Sequence, residues 1–141
     1  MKLAIFASAL ALVGSPPAYA ADKIGESCSG TETVQIGSQA PQTVPYAITL
    51  SADLAAKAYC YDKCGPDQTY AISDSTPTLV KLADLDRGNQ KRRITFDRRS
   101  ARLTDYQAFD VGLGPVVRNA TATCRAAPFH EPASLARVQT H

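Results

Sequence analysis

The 141 residues carry 15 Lys and Arg against 13 Asp and Glu, with 45% hydrophobic and 20% charged residues. A formal charge of +2 gives no bulk electrostatic footprint for nucleic acid, and this apolar fraction argues against wholesale disorder. One Met, no Trp and two His leave few residues for catalysis.

The chain opens on "MKLAIFASALALVGSPPAYA", with Lys2 before an apolar run from Leu3 to Val13. Gly14, Ser15, Pro16 and Pro17 break that run, and Ala18-Tyr19-Ala20 supplies the small residues a signal peptidase reads. Residues 1–20 therefore read as a secretory signal cleaved after Ala20, with an apolar run too short to remain as a membrane span. Removing them from the 141 residues leaves 121, enough for one domain with its own core. A periplasmic or secreted chain with no transmembrane segment after cleavage is the expectation.

Short β-branched or aromatic stretches follow at Thr31–Gly37, Tyr46–Leu54, Tyr70–Ser73, Thr78–Ala83, Arg93–Asp97, Arg102–Phe109 and Val116–Cys124. Tyr46, Ile48, Leu50, Ala52 and Leu54 alternate with small or polar residues, the pattern of a strand with one buried side. Turn signals separate the stretches at Gly37-Ser38, Gly65-Pro66-Asp67, Ser75-Thr76-Pro77, Arg87-Gly88-Asn89 and Gly112 to Pro115. The predicted fold is mostly β, a single small antiparallel meander closing into a barrel or sandwich. It occupies residues 21–129, stapled by two disulfides, and residues 130–141 form a loose C-terminal tail.

Residues 51–65 admit two readings. Ser51 as an N-cap, an Ala-rich middle and Gly65-Pro66 describe a helix that would put Cys60 and Cys64 on one face, each needing a partner elsewhere. The alternation through Leu54, a turn at Ala55-Ala56-Lys57 and a second strand bearing Tyr59 and Tyr61 describe a hairpin, which keeps the pattern intact and is preferred.

Four cysteines remain after cleavage, Cys28, Cys60, Cys64 and Cys124, with three possible pairings in an oxidising compartment. On the hairpin, Cys60 closes on Cys64 and leaves Cys28 to Cys124. A thiol-redox or copper-handling role for Cys60 and Cys64 is the alternative, since copper(I) favours thiolates. The C-x-x-x-C spacing is one residue longer than a redox C-x-x-C, and tetrahedral zinc would want paired knuckles that Cys28 and Cys124 do not form.

The stretch "RGNQKRRITFDRRSAR", residues 87–102, holds seven basic residues against Asp97 alone. A hairpin here would present Arg92, Arg93, Arg98, Arg99 and Arg102 as a basic patch for an anionic envelope component or an acidic protein. Nucleic acid is excluded as a partner, because no stacking aromatics are interleaved with the charges. Asp84, Asp86 and Asp105 are near enough in sequence to neutralise part of the patch, and a charged edge hairpin also resists aggregation.

No catalytic residue, metal ligand or cofactor is expected. His130 and His141 fall in the tail, the carboxylates sit singly beside turn signals, and "GLGP" at 112–115 lacks the lysine of a phosphate loop.

The succession "DLAAKAYCYDKC", "ITFDRRSARL" and "CRAAPF" resembles a pattern in small exported alphaproteobacterial proteins of unknown function. The resemblance implies secretion and two disulfides, and it carries no activity or site residues. The sequence thus points to an exported, non-catalytic binding or interaction module. An inhibitor or envelope-associated structural protein that contacts an acidic partner through residues 87–102 is a further alternative.

Overall fold

The computed structural model describes Gly14 and residues 21–135. The expected signal peptide, Gly14 apart, and residues 136–141 lie outside the described residues. Nine strands follow one another: β1 (Lys23–Ile36), β2 (Gln42–Asp53), β3 (Ala58–Tyr61), β4 (Thr69–Ala71), β5 (Asp74–Ser75), β6 (Leu79–Arg87), β7 (Gln90–Asp97), β8 (Arg102–Asp110) and β9 (Pro115–Ala126). A 3-10 turn, Pro66–Gln68, precedes β4. Every ladder is antiparallel, in the order β4-β3-β2-β1-β9-β8-β7-β6-β5. The mostly β, two-disulfide fold read from the sequence is the observed one.

The two outermost strands are neighbours in sequence, and this fixes the overall shape. Nine strands laid flat would span about 38 Å at the usual strand spacing. Only Ile72 and Ser73 separate β4 from β5, and three residue steps cover roughly 10 Å at most. The sheet must therefore curl until its edges meet. Ala58 pairs Ala71 while Ser75 pairs Val80, so β4 and β5 run in the same direction. They behave as one strand that binds β3 with its first half and β6 with its second. Bonds from Ile72 N to Lys57 O and from Ser73 N to Lys81 O complete the seam. The result is an up-and-down barrel of eight effective strands, a size whose interior side chains can fill.

Alternation supplies that interior. Leu50, Val80, Leu82, Ile94, Leu103, Phe96 and Tyr59 are buried at its centre, with Cys28 and Cys124 facing each other from β1 and β9. The outward face of β1 and β9 carries Ser27, Ser29, Thr31, Thr33, Asn119, Thr121, Thr123 and Arg125, with Val117 apolar among them, unlike the continuous apolar band a lipid-facing barrel presents. No helix among the described residues is long and apolar enough to cross a membrane.

Residues 51–65 form the hairpin and not the helix. β2 ends at Asp53, four turn residues follow, and Ala52 pairs Tyr59 across the new ladder. Cys60 then faces outward beside Ser51 and Thr69, and these three outward residues are nevertheless buried. The C-terminal segment covers them. Ala127 N donates to Gly25 O, the chain crosses Gly25, His130 N donates to Ser51 Oγ, and Ala133 N donates to Thr69 Oγ1. Of the segment expected as a tail, residues 130–133 are thus tied across the outer wall as a strap.

Candidate functional site

The barrel has two ends, named here by the hairpin turns they carry. The β1–β2 end holds a charged and aromatic cluster on the inner wall. Tyr46 Oη donates to Asp105 Oδ2 at 3.2 Å, and Arg92 Nη2 lies 3.8 Å from the same oxygen and 3.5 Å from Tyr61 Oη. Arg118 Nη2 donates to Glu32 Oε2 at 2.9 Å, and Gln107 Nε2 to Asp105 Oδ1 at 3.4 Å. The two carboxylates are deep and the two guanidinium groups shallower, with Arg118 39% exposed against 8% for Glu32. Tyr59, Tyr61 and Tyr70 pack ring on ring, and the Arg92 guanidinium stands 5.9 Å from the Tyr61 ring centre. Burial holds the hydroxyls of Tyr46, Tyr59 and Tyr61 above the ordinary tyrosine range, and the Asp105 charge adds to this at Tyr46. The side-chain bond to Glu32 raises Arg118 further. Most polar groups of this cluster find partners within it, although Arg92 Nε is buried without a hydrogen-bond partner among the described residues.

The β7–β8 end holds a cavity of about 310 Å³ lined by Lys23, Ile24, Glu26, Phe96, Arg98, Ala126 and Phe129, among others. It forms where β9 leaves the ladder after Ala126 and the strap turns across Gly25, so the first residues of β1 lose a neighbour. Arg98, in the β7–β8 turn, donates from Nη2 to Ala21 O and from Nη1 to Pro77 O, spanning the mouth. Desolvation lowers its pKa, and Asp22 and Glu26 oppose that effect by their charge. Glu26 shares the inner face with Cys28. Its Oε2 is buried without a hydrogen-bond partner among the described residues. Desolvation raises the Glu26 carboxyl above its usual value, and only Arg98 acts against it. Lys23 is already engaged, with Nζ 3.1 Å from Glu131, 4.0 Å from Asp53 and 5.0 Å from the centre of the Phe129 ring.

The sequence-derived basic patch does not assemble as one surface. Arg92 shares the inner face with Ile94 and Phe96, so the alternation places it inside the barrel. Arg93 pairs with Asp84 at 3.4 Å and the neighbouring Lys91 with Asp86 at 3.4 Å, the neutralisation expected from those acids. Arg98 is held over the cavity. Arg99 and Arg102 alone of the five are outward and without an acidic partner among the described residues. Arg102 borders a shallow outer-wall hollow of about 180 Å³ with Ser29, Thr31, Thr121 and Thr123.

The cysteines pair as the hairpin requires, Cys28 with Cys124 and Cys60 with Cys64. Cys60 is completely buried and Cys64 is 9% exposed, with the Cys60 sulfur 3.8 Å from the His130 carbonyl of the strap. A thiolate attacking the Cys60 sulfur would first have to displace the strap. Among the described residues, no group of three or more His, Cys, Asp or Glu could hold a metal ion.

Glu26, Glu32, Arg118 and Phe129 were not singled out from the sequence, and Asp105 was named only as an acid able to neutralise the basic patch. For the two glutamates a signal existed. Counting by twos from Cys28, which must face its partner, puts Glu26 and Glu32 on the inner face of β1. Phe129 carried no such signal, because the strap has no periodicity.

No family model matches the chain, and neither a curated protein nor a solved structure does.

Proposed function

We propose that the protein is an exported, non-catalytic binding module whose ligand enters the cavity at the β7–β8 end. The observation that carries this reading is the convergence of a half-buried carboxylate, Glu26, and a partly desolvated guanidinium, Arg98, with Phe96 and Phe129 around one half-open cavity. Apolar walls with a few convergent polar groups of perturbed pKa are the usual signature of a ligand site. Both disulfides then serve as staples, which supports delivery to an oxidising compartment such as the periplasm.

The test is mass spectrometry of the purified chain from Ala21 onward, alkylated under native conditions with and without mild reductant. Two intact, unlabelled disulfides are expected. Ready labelling of Cys60 and Cys64 would instead favour thiol-redox or copper chemistry and remove the module reading.

The hollow beside Arg102 supports a second reading, contact with an anionic envelope component or acidic protein through Arg99 and Arg102. Replacing both with Ser and finding unchanged, salt-independent retention on anionic envelope fractions would eliminate it.

A further inference from the structure

Glu26 is a carboxylate without the partners such a group ordinarily demands. The side chain is half-buried, a charged oxygen withdrawn from water costs stability unless it is paired, and its Oε2 has no donor among the described residues. Arg98, the cation whose charge acts on it, is committed to the carbonyls of Ala21 and Pro77 and to the charge of Asp22. Lys23 is committed to Glu131 and Asp53. The charged side chains lining the cavity are Lys23 and Arg98 against Glu26, and both bases are engaged elsewhere, which leaves Glu26 without an ion-pair partner among the described residues. Phe96 and Phe129 add aromatic surface, whose ring faces attract cations.

We propose that this cavity binds a small organic ammonium. Its charged nitrogen donates to the Glu26 carboxylate, and its hydrocarbon portion lies against Ile24, Phe96 and Phe129. The assignment rests on the binding-module reading and adds the chemical class of the ligand. A primary amine suits the site because it brings several N–H donors and a charge, whereas an alcohol brings one donor and no charge.

The experiment titrates the chain from Ala21 onward, disulfides intact, with 2-phenylethylamine, 2-phenylethanol and phenylacetate, following amide resonances by NMR. The amine should shift Ile24 to Glu26 and Phe96 to Arg98 in a saturable way, with the alcohol and the acid much weaker. Glu26→Gln should weaken the amine by about tenfold or more, the size of one charged hydrogen bond lost. Binding should also weaken as the pH falls through the Glu26 titration. Equal binding of amine and alcohol, or unchanged binding to Glu26→Gln, overturns the proposal. Preferential binding of phenylacetate overturns it too, and identifies Arg98 as the anchor instead. If no probe binds while both disulfides stay unreactive to alkylation, the ammonium assignment fails and the module reading survives.

Discussion

Glu26 and Gly25 sit side by side on β1 and set opposite demands on it. A carboxyl whose folded pKa is raised holds its proton more tightly in the folded chain than in the unfolded one. Its contribution therefore favours folding below the unfolded value near 4.5 and is lost as the pH rises through the folded value. At neutral pH the desolvated charge of Glu26 opposes folding. Glu26→Gln should consequently melt at a higher temperature than the parent at pH 7, with the two curves converging at about pH 4. Calorimetry across that range checks both points. Gly25 answers a packing demand. A Cβ there would lie 2.8 Å from Phe129 N and collide with Ala127 O, and both are backbone atoms that cannot swing aside. Gly25→Ala should cost about 1–3 kcal/mol in urea unfolding, as overpacking does. Amide exchange at His130 and Ala133 should accelerate first, because their bonds to Ser51 and Thr69 hold the strap down.

At the scale of elements, the wall is uneven. β3 pairs only Leu50 to Asp53 of β2, so the stretch of β2 from Gln42 to Ile48 presents an open edge. Asp62 N donates to Thr49 O, which places the backbone groups of Thr49 on that open side. Two-residue periodicity puts those of Ala47, Pro45 and Thr43 there as well. Pro45 therefore removes one exposed donor from the middle of the edge, a known protection against edge pairing. Pro45→Thr should restore a pairing edge and produce a concentration-dependent dimer in sedimentation or gel filtration, while the parent stays monomeric in parallel runs.

The elements were legible where side chains alternate and obscure where they are small. Each of the seven sequence-derived stretches overlaps a strand, Tyr70–Ser73 only at Tyr70 and Ala71, and the turn near Ala55 to Lys57 appeared between β2 and β3. The first half of β1, "KIGESCSG", was not recognised as a strand, since Gly and Ser carry no β preference. Those residues are small for tertiary reasons. Gly25 admits the strap, and a Cβ on Gly30 would collide with the backbone of Thr121 and Ala122 on β9. Arg92 failed as a surface residue for a related reason. Composition drew attention to its charge, whereas the pleat, counted from Ile94, already placed it inside. The cavity at the β7–β8 end could not be read at all, because it joins residues more than 100 positions apart through a segment without pattern.

For the whole molecule, the polar interior carries a prediction about alkali. Tyr46, Tyr59 and Tyr61 all have hydroxyls pushed above the ordinary range by burial. Folded chains keep those protons where unfolded chains release them, so the stabilisation holds below the unfolded value near 10 and declines as the pH rises past it. The tyrosinate absorbance of these three residues should appear together with the loss of far-ultraviolet circular dichroism, as a single cooperative step. Tyrosinate developing fully while the dichroism remains native would show the cluster to be solvent-accessible.

The ring closes between β1 and β9, the first strand and the last. In a chain that emerges from its amino terminus, β1 must wait for residues 115 to 126 before its second neighbour exists. The thiol of Cys28 waits equally long, 96 positions, for Cys124, while Cys60 meets Cys64 after four. The local clip therefore forms early and takes two reactive groups out of circulation before the long bridge is possible. Without it, Cys28 would encounter Cys60 and Cys64 long before its proper partner emerged. The short disulfide thus guards the order of events, and its worth to the protein is greatest while the barrel is still open.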